Sequence, residues 1–404
     1  MRHFRLSLLT TLIGTFVLSN AVFAAAFQLY ELGTPIVGTA AVGQAAVAED
    51  ASISYFNPAG MELLQRSQFM LGSQLLLPYT NFSKNSSTTI SGNNGGNAAA
   101  LTPGMNLYYV YSYSPRLKLG ISFTSPYGGS LSYNDGWVGR YVVQDATFYT
   151  INLNPSIAYR FNDWAAVGVG ASLEYMNLQE TVALPIIKLI DGQAKISVAN
   201  YAPGFNLGVM FTPYQSTKIG VAYRSQVNHH LHGNTTFLRI NANPTTSTRM
   251  VMPQNAILSL AQDFNQFTLL GELGWSNWSS MHDTILTVAN FSAVTPLNWN
   301  NTYRVGMGLQ YRFDPCFLIQ AGASYDSSPT SSSHRLPDLP MDRQIRVGAG
   351  VIYKIIQHVA LGASYEYWNL GNANINNASS DGVLSGSYSR NYANTFQVSM
   401  NVEA

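Results

Sequence analysis

Apolar and polar residues alternate with a period of two in one stretch after another from Phe69 almost to the end of the chain. Met105, Leu107, Tyr109, Tyr111 and Tyr113 mark one face of a stretch that ends in a tight Ser114-Pro115-Arg116 turn. Leu117, Leu119, Ile121 and Phe123 then mark the next, interleaved with Lys118, Gly120, Ser122 and Thr124. The pattern recurs at 69–77, 149–159, 167–175, 205–211, 219–223, 256–260, 267–275, 303–313, 317–325, 345–353, 359–367 and 392–402. Together these stretches predict about fourteen antiparallel strands, an even number as a closed bacterial barrel requires.

The connections alternate in length. Short turns are expected at Pro115, Asn162, Pro213, Asn265, Pro315 and Gln357. Long ones are expected at 80–102, 126–146, 176–202, 228–252, 279–301, 327–342 and 369–390. Outer-membrane barrels keep short turns in the periplasm and long loops outside, so odd-numbered strands run outward and even-numbered ones return. A soluble β-sandwich would also alternate its faces, but it does not explain the short–long rhythm.

Residues 25–64 do not alternate. They are rich in Gly and Ala, with Gly33, Gly38 and Gly43 spaced through the stretch, and they end in Asn57-Pro58-Ala59-Gly60-Met61-Glu62-Leu63-Leu64. Asn57 reads as an N-cap and Pro58 as the first residue of a short helix, where its missing amide proton costs nothing. A compact small-residue segment ahead of a strand array predicts a hatch inside the barrel. Residues 1–24 read as a secretory leader: Arg2 and Arg5 precede an apolar core too short to span a bilayer, and cleavage follows Ala24 or Ala26. The expected organisation is therefore leader 1–24, hatch 25–64 and transmembrane β-barrel 65–404.

Composition narrows the class. Charged residues make up 10% of the chain and Tyr contributes 24 residues, which suits a wall that meets lipid outside and polar groups inside. Mean hydropathy is +0.02, and no stretch beyond the leader is long and apolar enough for a membrane helix. The 21 Lys and Arg nearly balance the 20 Asp and Glu, which argues against nucleic acid as a partner. The single Cys316 has no internal disulfide partner. His229-His230-Leu231-His232 raises a metal site, but without a paired carboxylate or Cys set, and no cofactor is expected. No Gly-flanked nucleophile with a matching base stands out, so the chain is not expected to be an enzyme.

Several stretches resemble the outer-membrane long-chain fatty acid transporter family, whose relatives include aromatic hydrocarbon transporters. Phe27-Gln28-Leu29 and Asn57-Pro58-Ala59 match the family's N-terminal hatch. Asn154-Pro155-Ser156-Ile157-Ala158-Tyr159-Arg160 matches its fourth strand and Gly220-Val221-Ala222-Tyr223-Arg224-Ser225 its seventh. Trp275-Ser276-Asn277-Trp278-Ser279, Tyr325-Asp326-Ser327-Ser328-Pro329 and the loop from Arg335 to Arg343 match later parts in order. The resemblance covers nearly the whole mature chain. It implies a fourteen-stranded barrel with a hatch, placed in the bacterial outer membrane. Family members usually end in an aromatic residue read by the barrel-assembly machinery; this chain ends Asn401-Val402-Glu403-Ala404. No motif carries the family's carboxylate-contacting residues onto particular positions here.

Candidate site residues therefore come from chemistry. A fatty acid needs an apolar tunnel and a cation for its head. Inward bases in the outer halves of strands are Arg224 and Arg304; the alternative is that each pairs with a wall carboxylate such as Glu174 or Glu272. Arg160, beside a periplasmic turn, reads as structural. Leu184, Ile186, Ile187 and Leu189 put aliphatic side chains in an outer loop, where they either pack on a neighbour or form a groove that captures substrate. Ser125-Pro126-Tyr127-Gly128-Gly129 should break or bulge the third strand. The resemblance implies an inward kink there, opening the wall sideways toward the membrane. The favoured function is passive uptake of long-chain fatty acids by a monomer embedded in outer-membrane lipid. Aromatic or alkane hydrocarbons are the nearer alternative, and a structural or adhesive surface barrel that serves as a phage receptor is the alternative of another class.

Overall fold

The computed structural model describes residues 28–187, 190–238, 242–379 and 381–404, without the side chains of residues 186, 187 and 190. The expected leader lies outside the described residues, as do Phe27 and Leu189. In chain order the strands are β1 (Gln68–Lys84), β2 (Thr102–Ser114), β3 (Leu117–Thr124), β4 (Gly128–Ser132), β5 (Asp145–Asn162), β6 (Ala165–Ile187), β7 (Ile190–Tyr214), β8 (Thr217–Arg224), β9 (Val227–Phe237), β10 (Thr245–Met252), β11 (Asn255–Phe264), β12 (Phe267–Ser276), β13 (Asp283–Val288), β14 (Phe291–Pro296), β15 (Thr302–Arg312), β16 (Phe317–Asp326), β17 (Gln344–Ile356), β18 (Val359–Asn369), β19 (Ile375–Ser379) and β20 (Gly382–Glu403).

Fourteen of these form one closed antiparallel ring, in the order β1, β2, β3, β5, β6, β7, β8, β11, β12, β15, β16, β17, β18 and β20. The ring closes where β20 returns to β1, with Gln68 opposite Glu403 and Lys84 opposite Gly386. Each alternating stretch of the sequence is one stave of this wall. Alternation produces it because consecutive side chains point to opposite faces, and closure removes the unpaired edge that a bilayer would not tolerate.

Strands also occupy much of what was expected to be long loop. β6 and β7 run on as one hairpin until Ile187 faces Ile190. β9 and β10 form a second hairpin, joined to β7 on one side and to β13 on the other. Period-two patterning continues here: Val227, His229 and Leu231 are buried while His230 and His232 are exposed. The histidine run is thus split between two faces of a strand. His229 sits 3.3 Å from Glu174 and 2.7 Å from Asn200, away from its neighbours.

Arg335 organises the cap over the barrel. Its guanidinium donates to the Met341, Asn374 and Thr330 carbonyls and to the Asp342 carboxylate, at 2.7–3.1 Å. Within the same loop Asp338 is buried, which pushes its carboxyl up to about 8, although the amides of Asp338 and Leu339 pull the other way. The unfolded value is about 3.9, so the folded cap binds the extra proton and loses stability as pH rises from about 4 to about 8. Asp338→Asn is expected to gain on the parent across that window and not beyond it. Limited proteolysis of the cap as a function of pH checks this, and a constant difference between the two proteins would contradict it.

The outward face carries aromatic side chains at two levels. Tyr149, Tyr175 and Tyr201 lie side by side near the outer level, with ring centroids 6.3 and 4.9 Å apart. Trp164 stacks on Phe211 at the inner level, and Phe267 meets Tyr311 there at 4.7 Å. Rings of this kind mark both interfaces of a membrane barrel.

Residues 28–64 hold three short helical turns, Pro35–Thr39, Ile53–Phe56 and Pro58–Leu63. The first packs on β15 to β18 and β20, the last on β3, β5, β6 and β7, so the segment touches opposite sides of the ring. Glycines in the wall make room for its main chain. A Cβ added at Gly72, Gly220, Gly322 or Gly348 would overlap the carbonyls of Gly33, Ala45, Thr39 or Val37.

Candidate functional site

Arg346, Arg304 and Arg224 of the wall each hold the N-terminal segment, in different electrostatic settings. Arg346 on β17 donates to the Glu31 carboxylate at 2.8 Å, and its guanidinium lies 4.0 Å above the Trp368 ring. Arg304 on β15 pairs with Asp326 at 2.8 Å and Glu272 at 3.2 Å and donates to the Ala40 carbonyl at 2.6 Å. Glu272 in turn accepts from the Gly43 and Gln44 amides at 2.9 and 3.0 Å. Tyr30 lies between the two arginines, 4.4 Å from one guanidinium and 4.7 Å from the other.

Arg224, at the end of β8, is different. Its guanidinium donates to the Tyr55 carbonyl at 2.7 Å and the Asn154 side chain at 3.2 Å, and it lies 3.9 Å over the Tyr55 ring. Among the described residues no carboxylate pairs with it. Its cross-strand neighbours are Asn206 and Asn255, where Arg304 has Asp326. Arg224 lines a narrow cleft together with Leu29, Tyr30, Tyr55, Phe56 and Tyr127. The free space in it is only about 40 Å³, too little for an alkyl chain while the segment holds this position.

Asn57 fixes the other end of the segment. Its side chain caps the Pro58–Leu63 turn by accepting from the Ala59 amide at 3.1 Å. It also donates to the Ala45 carbonyl at 2.7 Å and to Val209 of the wall at 3.0 Å. Ala59 packs with Ala166 and Met210 on the barrel side. Below it, Arg160 lies 3.8 Å from the buried Glu62 carboxylate.

The third stave stops at Thr124, and Pro126 follows two residues later. The chain there turns toward the segment: the Leu29 amide donates to the Pro126 carbonyl at 2.9 Å, and Gln28 bridges to Tyr127. Ser125 donates to the Thr150 carbonyl at 2.7 Å and the Tyr127 ring is buried. β2 pairs with β3 only up to Leu107 opposite Phe123, whereas β2 continues along β1 to Thr102. Farther out the wall rejoins, where the Ala100 amide donates to Ser130 at 3.1 Å. Between these points residues 102–106 have no ladder to the next stave among the described residues. Gly128 already pairs with Tyr149 as β4 begins.

Leu184 is buried in an apolar cluster with Val182, Ile196, Val198 and Leu231. The side chains of Ile186 and Ile187 fall outside the described residues, as does Leu189. Sequence reading assigned no part to Arg346 or Glu31. The position of Arg346, one residue after Ile345 in an alternating strand, was the available sign that it faces inward.

A family model described as outer membrane protein transport protein (OMPP1/FadL/TodX) matches residues 15–403. The long-chain fatty acid transport protein of Salmonella typhi is 23% identical, over 90% of this chain and 92% of its own length. A Pseudomonas aeruginosa FadL homologue superimposes with a TM-score of 0.86 at 19% identity, covering 94% of this chain and all of its own. The Ralstonia pickettii toluene transporter TbuX does so with a TM-score of 0.70 at 17% identity, covering 93% and 100%.

Proposed function

The chain belongs to the outer membrane protein transport family (OMPP1/FadL/TodX), and we propose that the hydrophobic substrate it carries is a long-chain fatty acid. The observation behind this reading is Arg224, an inward guanidinium without a carboxylate partner among the described residues, set in a cleft of aromatic and aliphatic side chains. A fatty acid head supplies the missing anion and its tail suits the lining. In this reading residues 25–64 act as the hatch and Asn57, Pro58 and Ala59 anchor it. Substrate leaves sideways through the gap between β2 and β4 rather than into the periplasm. Because Arg224 also holds the Tyr55 carbonyl, a bound carboxylate competes with the hatch for one guanidinium. Arg304, already paired twice, serves as a clamp on the segment.

Arg224→Ala is expected to weaken fatty acid binding about ten- to a hundred-fold, as loss of a charge-assisted hydrogen bond of about 1.5–3 kcal/mol implies. Binding of an alkane of equal length should change far less. Titration of both ligands into the purified barrel, followed by tryptophan fluorescence, measures the difference. Equal losses would indicate a damaged wall and defeat the carboxylate reading. Tyr30, Tyr55, Phe56 and Tyr127 in the same lining favour a second reading, aromatic hydrocarbons, which the alanine variant should bind undiminished.

A further inference from the structure

We propose that His229 sets the barrel's preference for acids by holding the Glu174 carboxylate away from Arg224, so that the guanidinium is left for the substrate. The proposal rests on the reading of Arg224 as the head-group cation. It adds a positioning residue one step behind that cation, on a different strand.

Glu174 on β6 is the wall carboxylate that the sequence offered to Arg224, and both of its oxygens are engaged elsewhere. Oε1 lies 3.3 Å from His229 Nε2, and Oε2 accepts from Asn152 at 3.0 Å. The other ring nitrogen of His229 lies 2.7 Å from the Asn200 side chain on β7. That contact fixes the ring, and the carboxylate keeps a proton on Nε2, so the ring donates to Glu174 as imidazole or as imidazolium. Both residues are buried. Met176 beside one, and Val227 and Leu231 beside the other, belong to a single apolar cluster. A carboxylate in such surroundings is costly to leave unpaired, so without His229 it turns to a base within reach.

The base placed to answer is Arg224. Asn152, which donates to Glu174, and Asn154, which accepts from Arg224, stand two residues apart on the buried face of β5. That spacing is about 7 Å along the strand. The Tyr55 and Tyr127 side chains lie within electrostatic reach of both Glu174 and Arg224. Around them the wall offers neutral groups: Oδ1 of Asn152 and both polar atoms of Asn206 are buried without partners among the described residues. At Arg304 the corresponding encounter is complete. Glu272 and Asp326 both pair with it, and among the described residues no histidine holds either one back. The Tyr55 carbonyl occupies Arg224 at 2.7 Å while the N-terminal segment is in place. When a substrate draws the guanidinium from that carbonyl, an engaged Glu174 leaves the substrate's carboxylate without a rival.

The test measures binding of hexadecanoic acid and of hexadecane to the purified full-length barrel. His229→Gln can place its amide where Nε2 stands, whereas His229→Asn keeps only the group that faces Asn200. His229→Asn is expected to lose about tenfold in acid-over-alkane preference and His229→Gln to stay within about twofold of the parent, as loss or retention of the charge-assisted bond at Arg224 implies. The deciding variant is His229→Asn combined with Glu174→Gln, where no carboxylate competes and the preference should return. A role for His229 in wall stability alone predicts equal weakening of both ligands and no such rescue. Glu174→Gln by itself should leave the preference at or above that of the parent. An unchanged preference in His229→Asn, a loss that Glu174→Gln does not restore, or a loss in Glu174→Gln alone overturns the proposal. If Arg224→Ala keeps the preference, the head-group reading falls. If Arg224→Ala loses it and His229→Asn does not, the positioning role falls alone.

Discussion

Gly322→Ala, alone or with Gly220→Ala, is expected to turn a nearly silent barrel into one that conducts. A methyl group at either position points inward and overlaps the main chain of the N-terminal segment at Thr39 or Ala45. Neither glycine has a positive φ, so the staves themselves accept alanine and the strain falls on the contact. Overpacking of this kind costs about 1–3 kcal/mol at each site, and the segment has nowhere to retreat within the ring. Deleting residues 25–64 should give the same phenotype at its limit, a folded barrel that leaks small polar solutes. Gly271→Ala is the matched control, because an added Cβ there meets nothing within 4 Å. Single-channel recording in planar bilayers reads all three. Wild-type currents from both Gly322→Ala and the deletion would sink the hatch reading.

Replacing residues 125–129 by an alternating Thr/Val sequence is expected to abolish uptake while leaving intact the preference for acid over alkane that Arg224 sets. The present sequence keeps β3 from continuing beside β2: Pro126 lacks an amide proton, and Gly128 and Gly129 stiffen the backbone little. A regular strand would pair with residues 102–106 and close the opening, because unpaired backbone groups facing lipid cost several kcal/mol each. It would also remove the Tyr127 ring, which packs 6.3 Å from Trp278. Cellular uptake of labelled fatty acid should therefore fall to background, with the preference for acid over alkane preserved in the purified protein. A variant with a straight third stave that still transports would exclude the sideways route.

The wall was legible because two-residue alternation is a local property of each strand. Fourteen staves could be placed without knowing which pairs with which. The cap was less legible, since its hairpins alternate too, but between a protein interior and water instead of a lumen and lipid. Arg224 and Arg304 look equivalent in the sequence, each an inward base near the outer end of a stave. Their difference comes from register: Arg304 faces Asp326 across its ladder, while Arg224 faces asparagine on both sides. Register depends on pairings between distant stretches, and alternation alone does not specify it. The Glu31–Arg346 pair spans 315 positions and could not be anticipated from either neighbourhood. The break at Pro126 was visible because proline and glycine act locally.

The two levels of aromatic side chains also set a length. Tyr149 and Tyr159 on β5, Tyr201 and Phe211 on β7, and Tyr303 and Phe313 beside β15 are all exposed. The members of each pair stand about ten residues apart, which at about 3.3 Å per residue and a tilt of about 40° gives an apolar height near 25 Å. That is thinner than the hydrocarbon core of a typical bilayer, about 30 Å. A helix can tilt to relieve such hydrophobic mismatch, but a closed ring with fixed register has little freedom to do so, and the bilayer must thin around it. The protein should therefore insert more completely into vesicles of short-chain phosphatidylcholine than into those of long-chain lipid. In a membrane of mixed thickness it should collect in the thinnest regions.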